Sequence, residues 1–222
     1  PALGIGGLEL ITSEAPGPTA DRLSLHVRDT ARRLWLLYGG VTLFIAVTLS
    51  VVGMSIFDAV SHAFTTVATG GYSTYGDSIA HFDSFAVEAV LIVGMLYCGA
   101  NFSTHWHAVT GGIGAYRRVS EIRWYLWLIF SAFVLLIWVN AGELGWLKNI
   151  RESLFYAVSL GTSTGFGTSD YIAWMPAAQV ILLVLMVVGG MSGSTAGGMK
   201  VLRLQVVFRY AFRELVRARH PR

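Results

Sequence analysis

Two short segments of the sequence combine glycine with small hydroxyl residues, and each ends in an aromatic residue. They are Ala68, Thr69, Gly70, Gly71 and Tyr72, and Thr162, Ser163, Thr164, Gly165 and Phe166. Backbone carbonyls released from helix bonding are hard oxygen dipoles that can replace the hydration shell of an alkali cation. Glycine permits the dihedral angles that point several carbonyls the same way, and the aromatic ring can wedge the segment in place. The pattern predicts that both segments bind a cation.

The two segments belong to a longer internal repeat, which becomes visible when the sequence is shifted by 94 positions. Ala63, Thr65, Thr69, Gly71, Tyr72 and Thr74 then face Ala157, Ser159, Ser163, Gly165, Phe166 and Thr168. A single glycine-containing segment of this kind is typical of an ordinary turn. Two matched segments at corresponding places indicate one ancestral unit that was duplicated.

A third segment, Gly189 to Lys200, is rich in glycine and hydroxyl residues. Its candidate functional residues are Gly189, Gly190, Ser192, Gly193, Ser194, Thr195, Gly197, Gly198 and Lys200. The spacing of Gly189, Gly193 and Gly197 is also typical of a helix-packing face. Each glycine costs a helix up to about 1 kcal/mol relative to alanine, which favours a break over a continuous helix. Lys200 could reach a pore or a partner, or anchor the chain at the inner membrane surface.

The composition places these segments in a membrane protein, since 54% of the residues are hydrophobic and 13% are charged. Soluble, disordered, collagen-like and coiled-coil proteins are excluded by this balance. Four apolar stretches approach the roughly 20 residues of a membrane span: Leu34 to Ile56, Phe85 to Phe102, Trp124 to Val139 and Ala173 to Val188. Two shorter ones, Phe57 to Ala68 and Ser153 to Gly161, lead into the predicted cation-binding segments. The order helix, half-helix, loop, helix occurs twice, so we predict an all-α membrane protein with two membrane-pore-loop-membrane repeats.

The basic residues set the predicted topology. Of the 16 lysines and arginines, all but Lys148 and Arg151 precede the first span, lie between the second and third, or follow the fourth. That side is cytoplasmic by the positive-inside rule. The half-helices therefore enter from the outer side, where acidic residues are concentrated.

The two loops and the stretch from Gly189 to Lys200 closely resemble the Trk/Ktr potassium-transporter family, and specifically its TrkH-type membrane subunit. The similarity covers nearly the whole chain and implies a potassium-channel-like fold containing the second and third of four repeats. It divides the chain into a cytoplasmic link (1–33), a first repeat (34–116) and a second repeat (117–222) with the glycine-rich loop and a basic cytoplasmic C-terminal helix. The filter glycines of the family fall on Gly71 and Gly165.

The resemblance implies potassium uptake across the inner membrane of a bacterium, with the potassium ion as substrate and no covalent cofactor. The glycine-rich loop would obstruct the pore beneath the filter and move on opening. A cytosolic nucleotide-binding regulatory subunit of the TrkA kind would act on this loop. We also expect a homodimer in the lipid bilayer, no enzymatic activity and no nucleic-acid partner.

Three alternative functions remain open from the residues alone. They are a self-contained two-repeat channel that dimerises, an ion-coupled secondary transporter, and a membrane subunit that does not conduct. Four histidines could titrate near neutral pH, but interfacial positions are expected for His62, His81, His105 and His107. Asp58 is expected to cap the first half-helix.

Overall fold

The computed structural model of the chain describes residues 27–142 and 145–219. The helices in these ranges are α1 (Val27–Val51), α2 (Ile56–Val67), α3 (Phe85–Cys98), α4 (Phe102–Gly111), α5 (Gly114–Arg118), α6 (Ser120–Val139), α7 (Trp146–Gly161), α8 (Pro176–Val188) and α9 (Val201–Arg219). Short 3₁₀ turns at Ser78–Phe82 and Tyr171–Ala173 precede α3 and α8. Most of the predicted link, 1–33, lies outside the described residues.

Two helices among the described residues are long and apolar enough to span a membrane, namely Ala31–Val51 within α1 and all of α6. The second apolar stretch was expected to form one helix as far as Phe102, and this prediction is wrong. It ends at Cys98, and α4 leaves α3 at an angle of 96°. The Asn101 side chain starts α4 by accepting a hydrogen bond from the Thr104 amide at 3.1 Å.

The fourth predicted span contains α8, which has 13 residues and is therefore about 20 Å long. It starts at Pro176 and not at Ala173, because proline occupies the first helical turn. The first span also ends earlier than expected, at Val51. Gly53 has a φ of 110°, and the chain turns there before α2 begins.

The first half-helix was predicted correctly, whereas the second is longer than expected. Helix α7 begins at Trp146, seven residues before Ser153, and has 16 residues. Its first turns bury the polar side chains of Asn149 and Glu152. A search for apolar runs misses this part of the helix because its buried face is polar.

Close approaches at glycine hold the helices together. A Cβ atom at Gly94 of α3 would lie 3.1 Å from both Ile45 of α1 and Thr66 of α2. At Gly99, where α3 ends, it would lie 2.5 Å from the Tyr125 hydroxyl and 2.9 Å from the Thr162 methyl. Gly99 therefore brings the first repeat against both α6 and the end of α7.

We predict that Gly99→Ala destabilises the protein by about 1–3 kcal/mol, the usual cost of overpacking a well-packed site. Tyr125 cannot easily yield, because it is 1% exposed and its hydroxyl donates to the Leu96 carbonyl at 3.1 Å. Thermal unfolding of the detergent-purified protein measures the effect. Gly39→Ala in α1 is the matched control, since its Cβ meets nothing within 4 Å. Equal unfolding temperatures for the two variants would contradict this account of the packing.

Candidate functional site

The two predicted cation-binding loops have matching backbone conformations. Thr69 and Ser163 have positive φ angles of 50° and 56°, and Gly71 and Gly165 have φ angles of 64° and 90°. Positive φ is unusual for residues other than glycine and is concentrated at functional sites. Successive peptide groups therefore turn in ways that a helix does not allow, and the duplication seen in the sequence extends to the backbone.

Hydrogen bonds within the loops repeat with the same spacing. The Gly70 amide donates to the Thr65 carbonyl at 2.7 Å, and the Thr164 amide donates to the Ser159 carbonyl at 2.8 Å. Ala68 and Thr162 occupy the corresponding positions at the ends of α2 and α7. Each loop therefore leaves its half-helix through the same turn.

The two loops also meet. A Cβ at Gly71 would overlap the Thr164 carbonyl, so glycine is required there by space as well as by its φ angle. The corresponding position, Gly165, has nothing within 4 Å of its Cβ. The first loop thus packs at Gly71 against the second loop, whereas the corresponding face of the second loop, at Gly165, is open.

The two aromatic residues differ in their packing. Phe166 is fully buried, with its ring centre 5.8 Å from that of His62 on α2. It wedges the second loop against the first repeat, as predicted. Tyr72 is 78% exposed, so the same prediction is wrong for the first loop within this chain.

One stripe of residues on each half-helix holds the segment that follows its loop. We call Asp58, His62 and Thr65 on α2, and Glu152, Tyr156 and Ser159 on α7, the holding stripes. The members lie four and three residues apart, which places them on one helix face. Nearest the loop, the Thr65 and Ser159 hydroxyls donate to the Tyr72 and Phe166 carbonyls at 2.8 and 2.7 Å.

The middle members of the stripes are His62 and Tyr156. His62 Nδ1 donates to the Asp58 carbonyl at 2.7 Å, and Nε2 lies 2.9 Å from Ser73 Oγ. The Tyr156 hydroxyl donates to the Ser169 carbonyl and accepts from the Ser169 amide. His62 is fully buried and His105 is 2% exposed, so both rings are packed inside the protein.

The outer members of the stripes are carboxylates. Asp58 accepts from the hydroxyls of Ser55 at 2.6 Å and Thr74 at 2.7 Å, and these hydrogen bonds lower the pKa of its carboxyl group. Ser55, not Asp58, is the N-cap of α2, since its hydroxyl accepts from the Asp58 amide. Glu152 accepts from the Ser169 hydroxyl at 3.0 Å. The residue patterns did not indicate these roles, although Asp58 and Glu152 align under the 94-residue shift.

The glycine-rich stretch is a break between α8 and α9 and not a continuous helix. Positive φ angles occur at Gly189, Gly193, Gly198 and Lys200. The ends of the loop lie together, since the Met199 amide donates to the Val187 carbonyl at 2.9 Å and the Val201 amide donates to the Gly190 carbonyl at 3.0 Å. The predicted break is confirmed, and the helix-packing alternative is wrong.

The glycine-rich loop is attached to the break between α3 and α4. Met191 N donates to Gly99 O at 2.9 Å, and Phe102 N donates to Gly193 O at 3.0 Å. Between these bonds, the Ser192 carbonyl accepts from Asn101 Nδ2 at 2.7 Å. Two breaks in the membrane helices thus satisfy each other's backbone groups.

Helix α6 contributes a further contact to this loop. The buried Glu121 carboxylate accepts from the Ser192 amide at 2.7 Å. Lys200 does not extend away from the loop, since its ammonium group donates to the Ala196 carbonyl. The Ser194 hydroxyl donates to the Met191 carbonyl at 2.6 Å and so stabilises the turn between them.

The glycine-rich loop also contacts both predicted cation-binding loops. The Thr69 hydroxyl donates to the Thr195 carbonyl at 2.9 Å. A Cβ at Gly197 would lie 3.7 Å from the Ser163 side chain. All three segments singled out in the sequence therefore come together at one site.

We predict that Asn101→Ala loosens the glycine-rich loop, because it leaves the Ser192 carbonyl without its Asn101 partner and opens one side of the loop. A cysteine introduced by Ser194→Cys reports this opening, since the natural Cys98 is buried. The rate of thiol labelling should rise roughly tenfold, as expected for losing one buried hydrogen bond.

Thr110→Ala is the control for this experiment, because the Thr110 hydroxyl bonds back to Trp106 within α4. It should leave the labelling rate unchanged. Equal rates in Asn101→Ala and in the unmutated background would show that Asn101 does not restrain the loop.

Comparison with protein families gives a match over the whole chain. Residues 1–222 match the family model named TrkH and described as a cation transport protein. The Trk system potassium uptake protein TrkH of Escherichia coli K12 is 36% identical over 226 residues, which cover 100% of this chain and 47% of that protein. The protein of the same name from Vibrio parahaemolyticus is 37% identical over 229 residues, covering 100% of this chain and 47% of that protein.

The fold is similar to a solved structure as well. The crystal structure of the potassium transporter TrkH from Vibrio parahaemolyticus superimposes with a TM-score of 0.88 at 32% sequence identity. The match covers 98% of this chain and 48% of that chain. The chain therefore spans about half the length of the relatives it matches.

Proposed function

This chain belongs to the TrkH family of cation transport proteins, and we propose from this premise that it forms part of a pore for potassium uptake. Members of this family transport ions and are not enzymes, as the sequence led us to expect. The relatives named above are potassium uptake proteins of bacteria. By the same reasoning this chain crosses the bacterial inner membrane several times and carries potassium as its substrate, without a cofactor.

The observation that carries the proposal is the contact between two matched loops at Gly71 and Thr164. Non-helical backbone at membrane depth is tolerated where it is buried in protein or lines an aqueous cavity. Here the same conformation occurs twice, side by side, in segments whose polar groups are mainly backbone and small hydroxyls. Such a ring of oxygens can replace the hydration shell of potassium. We assign the filter to residues 68–72 and 162–166.

Two unfilled packing positions support a ring with more than two loops. Phe166 packs against the first repeat, but Tyr72, its counterpart, is 78% exposed. Gly71 packs against the next loop, but Gly165 faces open space. We propose that residues 34–116 and 117–222 are two consecutive repeats and that further loops pack on both sides. These loops would come from the rest of a full-length polypeptide or, in the alternative, from a second copy of this chain.

The glycine-rich loop is proposed to be the gate. It contacts both filter loops and is fixed by hydrogen bonds that can break singly. Helix α9 follows directly, and its Gln205 side chain donates to Ser120 Oγ at 3.0 Å, which links α9 to the start of α6. The helix carries five arginines, at positions 203, 209, 213, 217 and 219. A cytosolic nucleotide-binding subunit that binds this helix would move the loop.

We predict that Gly71→Ala and Gly165→Ala in the full-length protein both abolish potassium uptake or the preference for potassium over sodium. At Gly71 the added Cβ overlaps the neighbouring loop. At Gly165 the positive φ disfavours alanine, and a further loop packed there would give the same overlap. Uptake of rubidium in competition with sodium measures both effects in cells with equal surface levels of protein.

Gly76→Ala is the control, since its Cβ meets nothing within 4 Å and the residue lies in the outer loop. It should transport normally. Normal, potassium-selective uptake by both filter variants would remove these loops from the filter. A defect at Gly71 with a normal Gly165 variant would instead show that no further loop packs beside Gly165.

Deleting residues 192–197 from the full-length protein should raise basal potassium flux and weaken its dependence on the regulatory subunit, because it removes the segment that contacts both filter loops. Flux into proteoliposomes, with and without the subunit and its nucleotide, is the measurement. Unchanged flux, or loss of flux while folding and surface level stay normal, would show that the loop does not gate.

A further inference from the structure

We propose that Asp58 and Glu152 are positioning residues for ion selectivity, each fixing the outer end of its own filter loop through a hydroxyl of the segment that follows. This inference rests on the proposed function of the loops as the filter. It assigns the selectivity of the pore in part to two carboxylates at the far ends of the half-helices.

We call the hydrogen bonds from Asp58 and Glu152 to hydroxyls of the following segments the clamp. The geometry at Asp58 favours this structural role over that of a charge that faces the ions. Asp58 is 7% exposed and lies in the first turn of α2. One oxygen, Oδ1, accepts from the Thr74 hydroxyl at 2.7 Å. The other, Oδ2, accepts from the hydroxyls of Ser55 at 2.6 Å and Tyr75 at 3.3 Å. Both oxygens are therefore used within the protein.

The geometry at Glu152 repeats this arrangement. Glu152 is 6% exposed, and its Oε2 accepts from the Ser169 hydroxyl at 3.0 Å. Lys148 lies 3.6 Å from Oε1 across one turn of α7. Two carboxylates at matching positions thus bind hydroxyls at nearly matching positions, which would be improbable if either contact were incidental.

The clamp completes the holding stripes. Thr65 and Ser159 bond to the last residues of the filter loops, and His62 and Tyr156 bond to the following segment. Asp58 and Glu152 accept hydrogen bonds from the outer end of that segment. Because hydrogen bonds to an ionised carboxylate are stronger than neutral ones, these contacts restrain the segment that follows each loop most firmly at its outer end. A smaller and more strongly hydrated ion could pass only if the loop widened, and widening must break these hydrogen bonds.

The competing explanation is that these carboxylates only attract cations to the mouth of the pore. Thr74 separates the two explanations, because Thr74→Val removes the hydroxyl bond without changing any charge. A clamp requires the Thr74 hydroxyl, whereas an electrostatic effect does not. The conservative variant Thr74→Ser retains a hydroxyl and serves as the rescue.

The experiment measures the preference of the full-length protein for rubidium over sodium in proteoliposomes. Thr74→Val should lower this preference about tenfold, as expected for one lost charge-assisted hydrogen bond, while total cation flux persists. Asp58→Ala removes all three hydroxyl contacts of the carboxylate and should lower the preference at least as much. Thr74→Ser should restore most of the preference. Asp77→Asn is the charge control, because the Asp77 side chain is 59% exposed and lies at the same outer surface.

A selectivity loss in Thr74→Val together with unchanged selectivity in Asp77→Asn supports the clamp. If Thr74→Val is silent while both aspartate variants weaken uptake at low potassium, the carboxylates act by charge alone and the inference is overturned. The Gly71→Ala variant is tested in parallel. If it disturbs selectivity and Thr74→Val does not, the filter assignment stands without the clamp. If neither does, both proposals fail.

Discussion

Backbone polar groups that leave a helix at membrane depth must find partners inside the protein, and this requirement explains most of the structure. The holding stripes provide these partners for the segments that follow the two matched loops. The Thr65 hydroxyl donates a hydrogen bond to the Tyr72 carbonyl, and the Ser159 hydroxyl donates one to the Phe166 carbonyl. Without these contacts the loops would expose unsatisfied groups, each costing several kcal/mol in a bilayer. The half-helices are therefore scaffolds for the loops.

The same requirement pairs the other two interruptions of the membrane helices. The break between α3 and α4 and the glycine-rich loop exchange backbone hydrogen bonds at Gly99 and Phe102. Asn101 and Glu121 hold opposite polar groups of Ser192. Since each break satisfies the other, a movement of one requires a compensating change in the other. If this loop is the gate, as proposed, it can be closed firmly and still open through the loss of a few hydrogen bonds.

Contacts between the two repeats are as specific as those within them. On the outer side, Arg151 of α7 donates to both oxygens of Glu88 on α3, at 2.7 and 2.9 Å. Glu88 is 3% exposed, so it depends on this partner. In the filter region Phe166 packs against α2. These contacts hold the two matched loops at one relative position, as the proposed ring of oxygens requires if it is to distinguish ions by fit.

The amino-acid sequence determined the elements with a strong local or repeated signal. Hydropathy predicted the membrane class and the helices α1, α2 and α6. The 94-residue repeat identified the two matched loops, because glycine and hydroxyl residues recur there in the same order. Glycine content alone predicted the break at residues 189–200. Only the tertiary structure decided the rest. The early start of α7, the turn after Cys98 and the roles of Asp58 and Glu152 all depend on buried polar side chains. Their hydrogen-bond partners include residues 12 to 91 positions away in the sequence, beyond the reach of a local pattern. Phe166 and Tyr72 occupy equivalent positions, yet one is buried and the other exposed, because only one has a neighbouring repeat within this chain.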